Sequence, residues 1–135
     1  MHFVAVCCKF LIMNLDWQKN IGVYRASARR RREHLERERQ QRLARGWDIA
    51  HLAAGLLRDR FGVRQVAVFG SLAHSDRFHL RSDVDLAVWG LDEKDYLRAV
   101  AELTGLDSEI TVDLVAVEQA PGTLSRRIKE EGTPL

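Results

Sequence analysis

Two aspartates separated by one valine, Asp83 and Asp85, begin an apolar run, "DVDLAVWG" at 83–90, that otherwise has the composition of a buried β-strand. Side chains alternate along a strand, so both carboxylates point to one face, about 6.5 to 7 Å apart along the backbone. Two like charges in such a place are costly unless positive charge offsets them, and a pair at the rim of a sheet can bind a divalent cation. Alternatively, Asp83 is a turn residue after Ser82, and only Asp85 is unusual.

A third aspartate, Asp113, lies in the middle of "EITVDLVAV" at 109–117, where its neighbours are apolar on both sides. An ionised carboxylate in mid-strand has to be paired, hydrogen-bonded or bound to metal. If this strand lies beside the strand of Asp85, the three carboxylates provide the hard oxygen ligands that Mg²⁺ prefers. The alternative is an edge strand whose aspartate meets water.

Gly70 and Ser71 follow another short strand-like run, "RQVAVFG" at 64–70, and precede a predicted helical turn, "LAHSD" at 72–76. A glycine lets backbone N–H groups approach a phosphate closely, and a serine at a helix start adds a hydroxyl donor. The same dipeptide is also common in an ordinary turn with an N-cap, so its meaning depends on the nearby aspartates.

The remaining patterns predict helices. The Arg-rich stretch 24–45 has opposite charges at helical spacing, and apolar steps of three and four from Trp47 predict a second helix ending at Gly62. Shorter helices are predicted within 92–105 and 121–132. The order predicts an α/β (α+β) fold: a small mixed sheet with helices packed on one side, plus a long N-terminal helix. We divide it into a tail (1–23), an Arg-rich helical appendage (24–46) and an acidic domain that bears the candidate site (47–135).

Charge is distributed unevenly along the chain. Residues 1–62 hold 13 Lys or Arg against 6 Asp or Glu, whereas residues 63–135 hold 8 against 13.

The only two cysteines, Cys7 and Cys8, are adjacent, which favours a reducing cytoplasm over a disulfide framework. The apolar opening is too short to span a bilayer. It is an added strand, a partner-binding tail, or sequence upstream of a start at Met13, which is the interpretation we favour.

Taken together, "VAVFGSLA", "SDVDLAVWG", "TVDLV" and the closing "RIKEEGTPL" resemble the DNA-polymerase-β-like nucleotidyltransferase superfamily, and most of all its minimal nucleotidyltransferase (MNT, antitoxin-type) branch. The resemblance covers roughly residues 47–135. It departs from the family pattern at His74 and Ser75, where Arg and Gly are common, and in a loop to the aspartates that is about one residue longer than usual. These changes remove no metal ligand, although they leave phosphate or acceptor contacts in the loop open.

The resemblance implies a role for each matched residue. Gly70 and Ser71 would hold the triphosphate of a bound nucleotide, Asp83 and Asp85 would coordinate two Mg²⁺ ions, and Asp113 would bind the catalytic metal and help to deprotonate the attacking hydroxyl. The implied reaction is transfer of AMP, or another NMP, from ATP to a hydroxyl acceptor with release of pyrophosphate.

The resemblance also implies a partner, because minimal nucleotidyltransferases commonly act as antitoxins of a HEPN-type toxin. Some of these antitoxins adenylylate the toxin. An alternative is a non-catalytic antitoxin or protein-binding module with the same fold. A third hypothesis is nucleic-acid binding through the Arg-rich helix, but Glu33, Glu36 and Glu38 dilute its positive charge, so a solvated or partner-docking helix is favoured.

Overall fold

The computed structural model describes the backbone of residues 2–135 and the side chains of residues 17–135. Short 3₁₀ turns at Gly70–Ala73, Glu93–Asp95 and Val117–Gln119 separate its main elements. These elements are α1 (His2–Phe61), β1 (Gln65–Phe69), β2 (Val84–Trp89), α2 (Tyr96–Thr104), β3 (Val112–Ala116), α3 (Gly122–Glu131) and β4 (Thr133–Pro134). The chain divides into two compact units, Met1–Glu38 and Arg39–Leu135.

The four strands form one mixed sheet in the order β3-β2-β1-β4. Strand β1 pairs antiparallel with both β2 and β4, whereas β2 pairs parallel with β3. A parallel pair needs a crossover connection, and α2 provides it between β2 and β3. The small mixed sheet predicted from the sequence is therefore confirmed.

The two faces of the sheet have different cores because side chains alternate along each strand. On β2, Leu86 and Val88 pack with buried residues of α1 and α2, such as Leu57 and Leu103. Between them in sequence, Ala87 belongs to a smaller cluster that includes Ile128 of α3 and Phe69 of β1, with Leu124 and Val115 packed against it. Helices α1 and α2 thus cover one face, and α3 covers part of the other, which is the face that carries Asp85.

Helix α1 continues through Gly46, where the sequence pattern predicted a break and a second helix from Trp47. Gly46 is buried, and a Cβ added there would lie 3.1 Å from Leu72 Cδ1. The glycine therefore lets the helix approach the turn after β1 closely. The predicted end at Gly62 is confirmed, since this residue has a φ of +62° and its N–H donates to Arg58 O at 3.2 Å.

The division at residues 23 and 46 stays a prediction. The interpretation of residues 1–12 as sequence upstream of a start lies outside the residues whose side chains are described. Within the described residues, we find no helix with the combination of length and apolar character that crossing a bilayer requires.

Candidate active site

Asp85 and Asp113 lie opposite each other on the parallel strands β2 and β3. Residues in direct register on neighbouring strands point to the same face, so the two carboxylates share one surface of the sheet. Asp83 lies two residues before Asp85, immediately ahead of β2, and has the same parity. The topology therefore brings together the three aspartates that the sequence analysis selected as candidate metal ligands.

The charges of these three carboxylates interact. The pKa of Asp85 is raised from 3.8 to about 6, first by burial and then by the negative charges of Asp113 and Asp83, in that order of importance. Asp85 is half-buried, whereas Asp113 is exposed to solvent. The site thus concentrates negative charge around a partly desolvated carboxylate, which is an environment that favours a bound cation.

The backbone at Gly70 lies against Asp85. Phe69, the last residue of β1, is in register with Asp85, and Gly70 follows it with a φ of +70°. A Cβ on Gly70 would collide with Asp85 Oδ2, so the positive φ favours glycine and any side chain there would displace the Asp85 carboxylate. Ser71 is half-buried in the 3₁₀ turn that Gly70 begins, and its carbonyl accepts from His74 N at 3.2 Å. The predicted phosphate-binding pair is therefore adjacent to the aspartates.

Two arginines that the sequence analysis did not single out hold the loop leading to Asp83. Arg39 Nη1 donates to the backbone oxygens of Ser75 at 2.7 Å and Phe78 at 3.2 Å. Arg42 Nη2 donates to Ser82 O at 3.0 Å. Both arginines lie on α1 within an Arg-rich stretch, and the sequence holds no signal that separates them from their exposed neighbours.

The same loop has an internal hydrogen bond at its end. Ser82, which is buried, accepts from His79 N through its Oγ at 2.9 Å. Together with Arg39 and Arg42, this contact fixes the backbone immediately before Asp83. The position of Asp83 thus depends on contacts made by α1 as well as on β2.

His74, Arg77 and Arg81 lie in the chain segment between β1 and β2. His74 Nε2 lies 3.6 Å from Glu131 Oε2 of α3 and makes no hydrogen bond within the described residues. Arg77 and Arg81 are exposed. The structure gives none of these three side chains a contact with the aspartates.

The donor chemistry of the three aspartates fits a hard divalent cation, because carboxylate oxygens are the ligands that such ions prefer. However, among the side chains of residues 17–135, no three acidic, histidine or cysteine groups are already arranged to hold one ion. Mutual repulsion of ionised carboxylates opposes such an arrangement in the protein alone. The three aspartates therefore fit a divalent cation by the chemistry of their oxygens, but they do not form a preformed structural metal site.

Three of the solved structures to which the chain is similar are toxin–antitoxin complexes. A chain of the "Crystal structure of the toxin-antitoxin with AMP-PNP" is 30% identical, covers 60% of this chain and 67% of its own length, and has a TM-score of 0.51. A chain of a point mutant of the MntA-HpeT toxin–antitoxin is 26% identical, with coverages of 63% and 69% and a TM-score of 0.53.

A third similar structure is a tri-AMPylated Shewanella oneidensis HEPN toxin in complex with MNT antitoxin. The matching chain is 26% identical, covers 66% of this chain and 70% of its own length, and has a TM-score of 0.50. No curated protein sequence matches significantly. Residues 53–135, which carry Gly70, Ser71 and the three aspartates, match the family described as polymerase beta, nucleotidyltransferase. The chain belongs to this nucleotidyltransferase family.

Proposed function

We propose that this protein is a Mg²⁺-dependent adenylyltransferase that moves AMP from ATP to a hydroxyl group of a HEPN-type toxin and thereby acts as its antitoxin. The observation that carries this proposal is the register of Asp85 against Asp113, with the Gly70 turn lying against the Asp85 carboxylate. This arrangement offers acidic ligands and a close backbone approach on one surface of the sheet.

The nucleotide would bind with its phosphates between the Gly70 turn and the aspartates. Gly70 lets the Asp85 carboxylate lie directly against the backbone of the turn, and the Ser71 hydroxyl is a donor at the start of that turn. Asp83, Asp85 and Asp113 would hold Mg²⁺, which would supply the positive charge that phosphoryl-group transfer requires. The raised pKa of Asp85 supports this role because bound positive charge would relieve the repulsion that causes part of the shift.

Asp113 is the carboxylate best placed to meet an acceptor, because it is exposed while Asp83 and Asp85 are half-buried. We assign to it the orientation of the acceptor hydroxyl and acceptance of its proton. The hydroxyl oxygen then forms a bond to the α-phosphorus, the bond from that phosphorus to the bridging α–β oxygen breaks, and pyrophosphate leaves with the electron pair. The product is an AMP ester of the acceptor.

The partner assignment is supported by the similar structures. One is a toxin–antitoxin with AMP-PNP, and another contains a HEPN toxin that carries three AMP groups together with an MNT antitoxin. ATP as donor and a HEPN-type protein as acceptor are the choices most consistent with these relatives. A small domain also benefits from an acceptor that brings its own positioning surface.

A non-catalytic antitoxin module is the rival proposal. A binding module gains nothing from a half-buried carboxylate that two neighbouring negative charges destabilise, and it can replace such residues freely. All three carboxylates are present here, and their mutual repulsion contributes to the raised pKa of Asp85. This cost favours the enzyme.

The test is transfer of radiolabel from α-labelled ATP to a purified HEPN-type toxin, with and without Mg²⁺. We expect label on the toxin only when protein and Mg²⁺ are both present, and no label from γ-labelled ATP, because the γ-phosphate leaves in pyrophosphate. A stable protein–toxin complex that suppresses the toxin without any transferred label would instead establish the non-catalytic module.

A further inference from the structure

The unit Met1–Glu38 carries a stripe of apolar side chains along α1, several of them exposed, which we call the apolar seam. In the part of this unit that the structure describes, the backbone forms a single helical segment of α1. The seam consists of Trp17, Ile21, Tyr24, Ala28 and Leu35. Trp17 is 65% exposed, Tyr24 72% and Leu35 49%, so large apolar side chains face solvent on this segment.

The spacing of the seam is that of a coiled coil. Its members follow one another at steps of four, three, four and seven residues, which keeps them on one narrow stripe of the helix. A helix that covers a globular core, or lies in a membrane surface, has a broader apolar face of about 100° or more. The narrow seam therefore favours another helix as its occupant over a lipid surface.

Arginines border the seam, and their positive charge determines which kind of helix can pack against it. Arg25 and Arg32 occupy one flank, and Arg31 stands in the seam itself between Ala28 and Leu35. In a parallel, in-register pair of two copies, Arg31 would meet its own equivalent. In an antiparallel pair, the arginine flanks would face each other. Like charges disfavour both arrangements, whereas acidic residues on a partner helix would complement the same arginines.

We propose that the apolar seam of α1 docks an amphipathic helix of a partner protein, with apolar residues at coiled-coil spacing and acidic residues along its flanks. This surface lies outside the family-matched residues 53–135, so the proposal does not depend on nucleotide transfer. Interleaved Glu33 and Glu36 on the remainder of the helix also weaken the case for a nucleic-acid backbone as the occupant.

The test uses a synthetic five-heptad peptide with leucine at both seam positions and glutamate at both flanking positions. A matched peptide has lysine at the flanking positions. Binding of each fluorescently labelled peptide to the full-length protein is measured by anisotropy. We expect the glutamate peptide to bind in a salt-sensitive manner and the lysine peptide to bind at least about tenfold more weakly.

Two adjacent exposed residues provide matched variants. Tyr24 lies in the seam, whereas Val23, which is 64% exposed, lies off it. Serine has a helix propensity similar to both tyrosine and valine, so Tyr24→Ser and Val23→Ser disturb the helix equally. We expect Tyr24→Ser to weaken binding of the glutamate peptide about tenfold and Val23→Ser to change it less than about threefold.

Three outcomes would overturn the proposal. Equal binding of the two peptides, or equal losses in the two variants, would remove the seam as a specific site. Dimerisation of the protein alone that Tyr24→Ser abolishes, measured by sedimentation, would make a second copy the occupant. Binding to anionic phospholipid vesicles without binding to the glutamate peptide would make the seam a membrane contact.

Discussion

Asp85 of β2 and Asp113 of β3 are direct neighbours across a parallel strand pair, so the sheet places two carboxylates side by side. They lie on the face of the sheet that α3 covers only in part. A fold selected for stability alone would replace one of them. The arrangement is consistent with a site that exchanges stability for the ability to attract cations and phosphates.

Asp85→Asn is expected to stabilise the metal-free protein at neutral pH. The folded-state pKa of about 6 exceeds the ordinary 3.8, so wild-type stability falls as pH rises from 3.8 to about 6 and stays lower above that. The variant lacks this loss. We expect it to gain about 1–2 kcal/mol relative to wild type at neutral pH, after allowance for solvent screening, and almost nothing near pH 3.

The measurement is urea denaturation in a chelating buffer at several pH values. Asp76→Asn is the matched control, because Asp76 is an exposed aspartate in the nearby loop. A gain that is the same at every pH, or equally large in the control, would show that repulsion within the site is not its cause.

Gly70→Ala is expected to damage both the fold and the site. The positive φ and the collision with Asp85 each oppose a side chain, and a strained residue of this kind costs about 1–3 kcal/mol. Nucleotide binding should fall with it because the turn or the carboxylate has to move.

Gly55→Ala provides the contrast for this substitution, since a Cβ at Gly55 of α1 meets nothing within 4 Å. We expect it to stabilise the protein by about 0.5–1 kcal/mol, as alanine does in a helix interior. Thermal unfolding and titration with an ATP analogue test the pair. Unchanged analogue affinity in Gly70→Ala would mean that the turn does not approach the phosphates.

Arg39→Gln and Arg42→Gln are expected to loosen the loop before Asp83 without unfolding the sheet. Each loses hydrogen bonds to loop carbonyls, so amide hydrogen exchange within residues 75–82 should accelerate while exchange in β1 and β2 stays slow. Nucleotide transfer should fall along with this local opening. The control is Arg37→Gln at an exposed position of the same helix, and similar exchange in all three variants would refute the positioning role.

Asp107→Ala is expected to destabilise the turn that leads into β3. The Asp107 carboxylate accepts from the backbone N–H groups of Glu109 at 2.7 Å and Ile110 at 3.0 Å, and from Arg45 Nε at 2.7 Å. The two backbone N–H groups, and then Arg45, lower the pKa of this carboxyl. Its contribution is therefore complete above the ordinary carboxyl pKa and is lost as pH falls through the lower folded-state value.

Thermal unfolding at neutral pH and under acid conditions tests this prediction. The melting temperature of Asp107→Ala should lie below that of wild type at neutral pH, and the gap should narrow in acid. Ser108→Ala, at the exposed neighbouring position, should leave it nearly unchanged. A gap that does not depend on pH would assign the loss to packing instead of the charged acceptor.

The fold and the core of the site could be predicted where the signal is local. Aspartates at i and i+2 within an apolar run mark one face of a strand, and a glycine after a strand marks a tight turn, so Asp83, Asp85 and Gly70 were readable from sequence. The sheet and its helices were predicted from the order of short apolar runs and helical patterns along the chain. Identification of these residues as ligands stays a prediction.

Other features depend on contacts between residues far apart in the chain. The sequence pattern separates two helices at residue 46, yet the helix continues there and the missing side chain of Gly46 serves packing against Leu72. Arg39 and Arg42 look like members of a solvated Arg-rich face, and only the folded loop reveals that they bind its carbonyls. Periodicity and composition do not encode such pairings.

The most direct test of the shared cation site is Mn²⁺ binding followed by electron paramagnetic resonance in the presence of AMP-PNP, for wild type, Asp85→Asn, Asp113→Asn and the control Asp76→Asn. We predict that wild type and Asp76→Asn bind Mn²⁺ with the nucleotide, and that Asp85→Asn and Asp113→Asn each bind at least about tenfold more weakly while remaining folded. Wild-type affinity in Asp113→Asn would contradict the account, because it would separate the β3 carboxylate from the cation site.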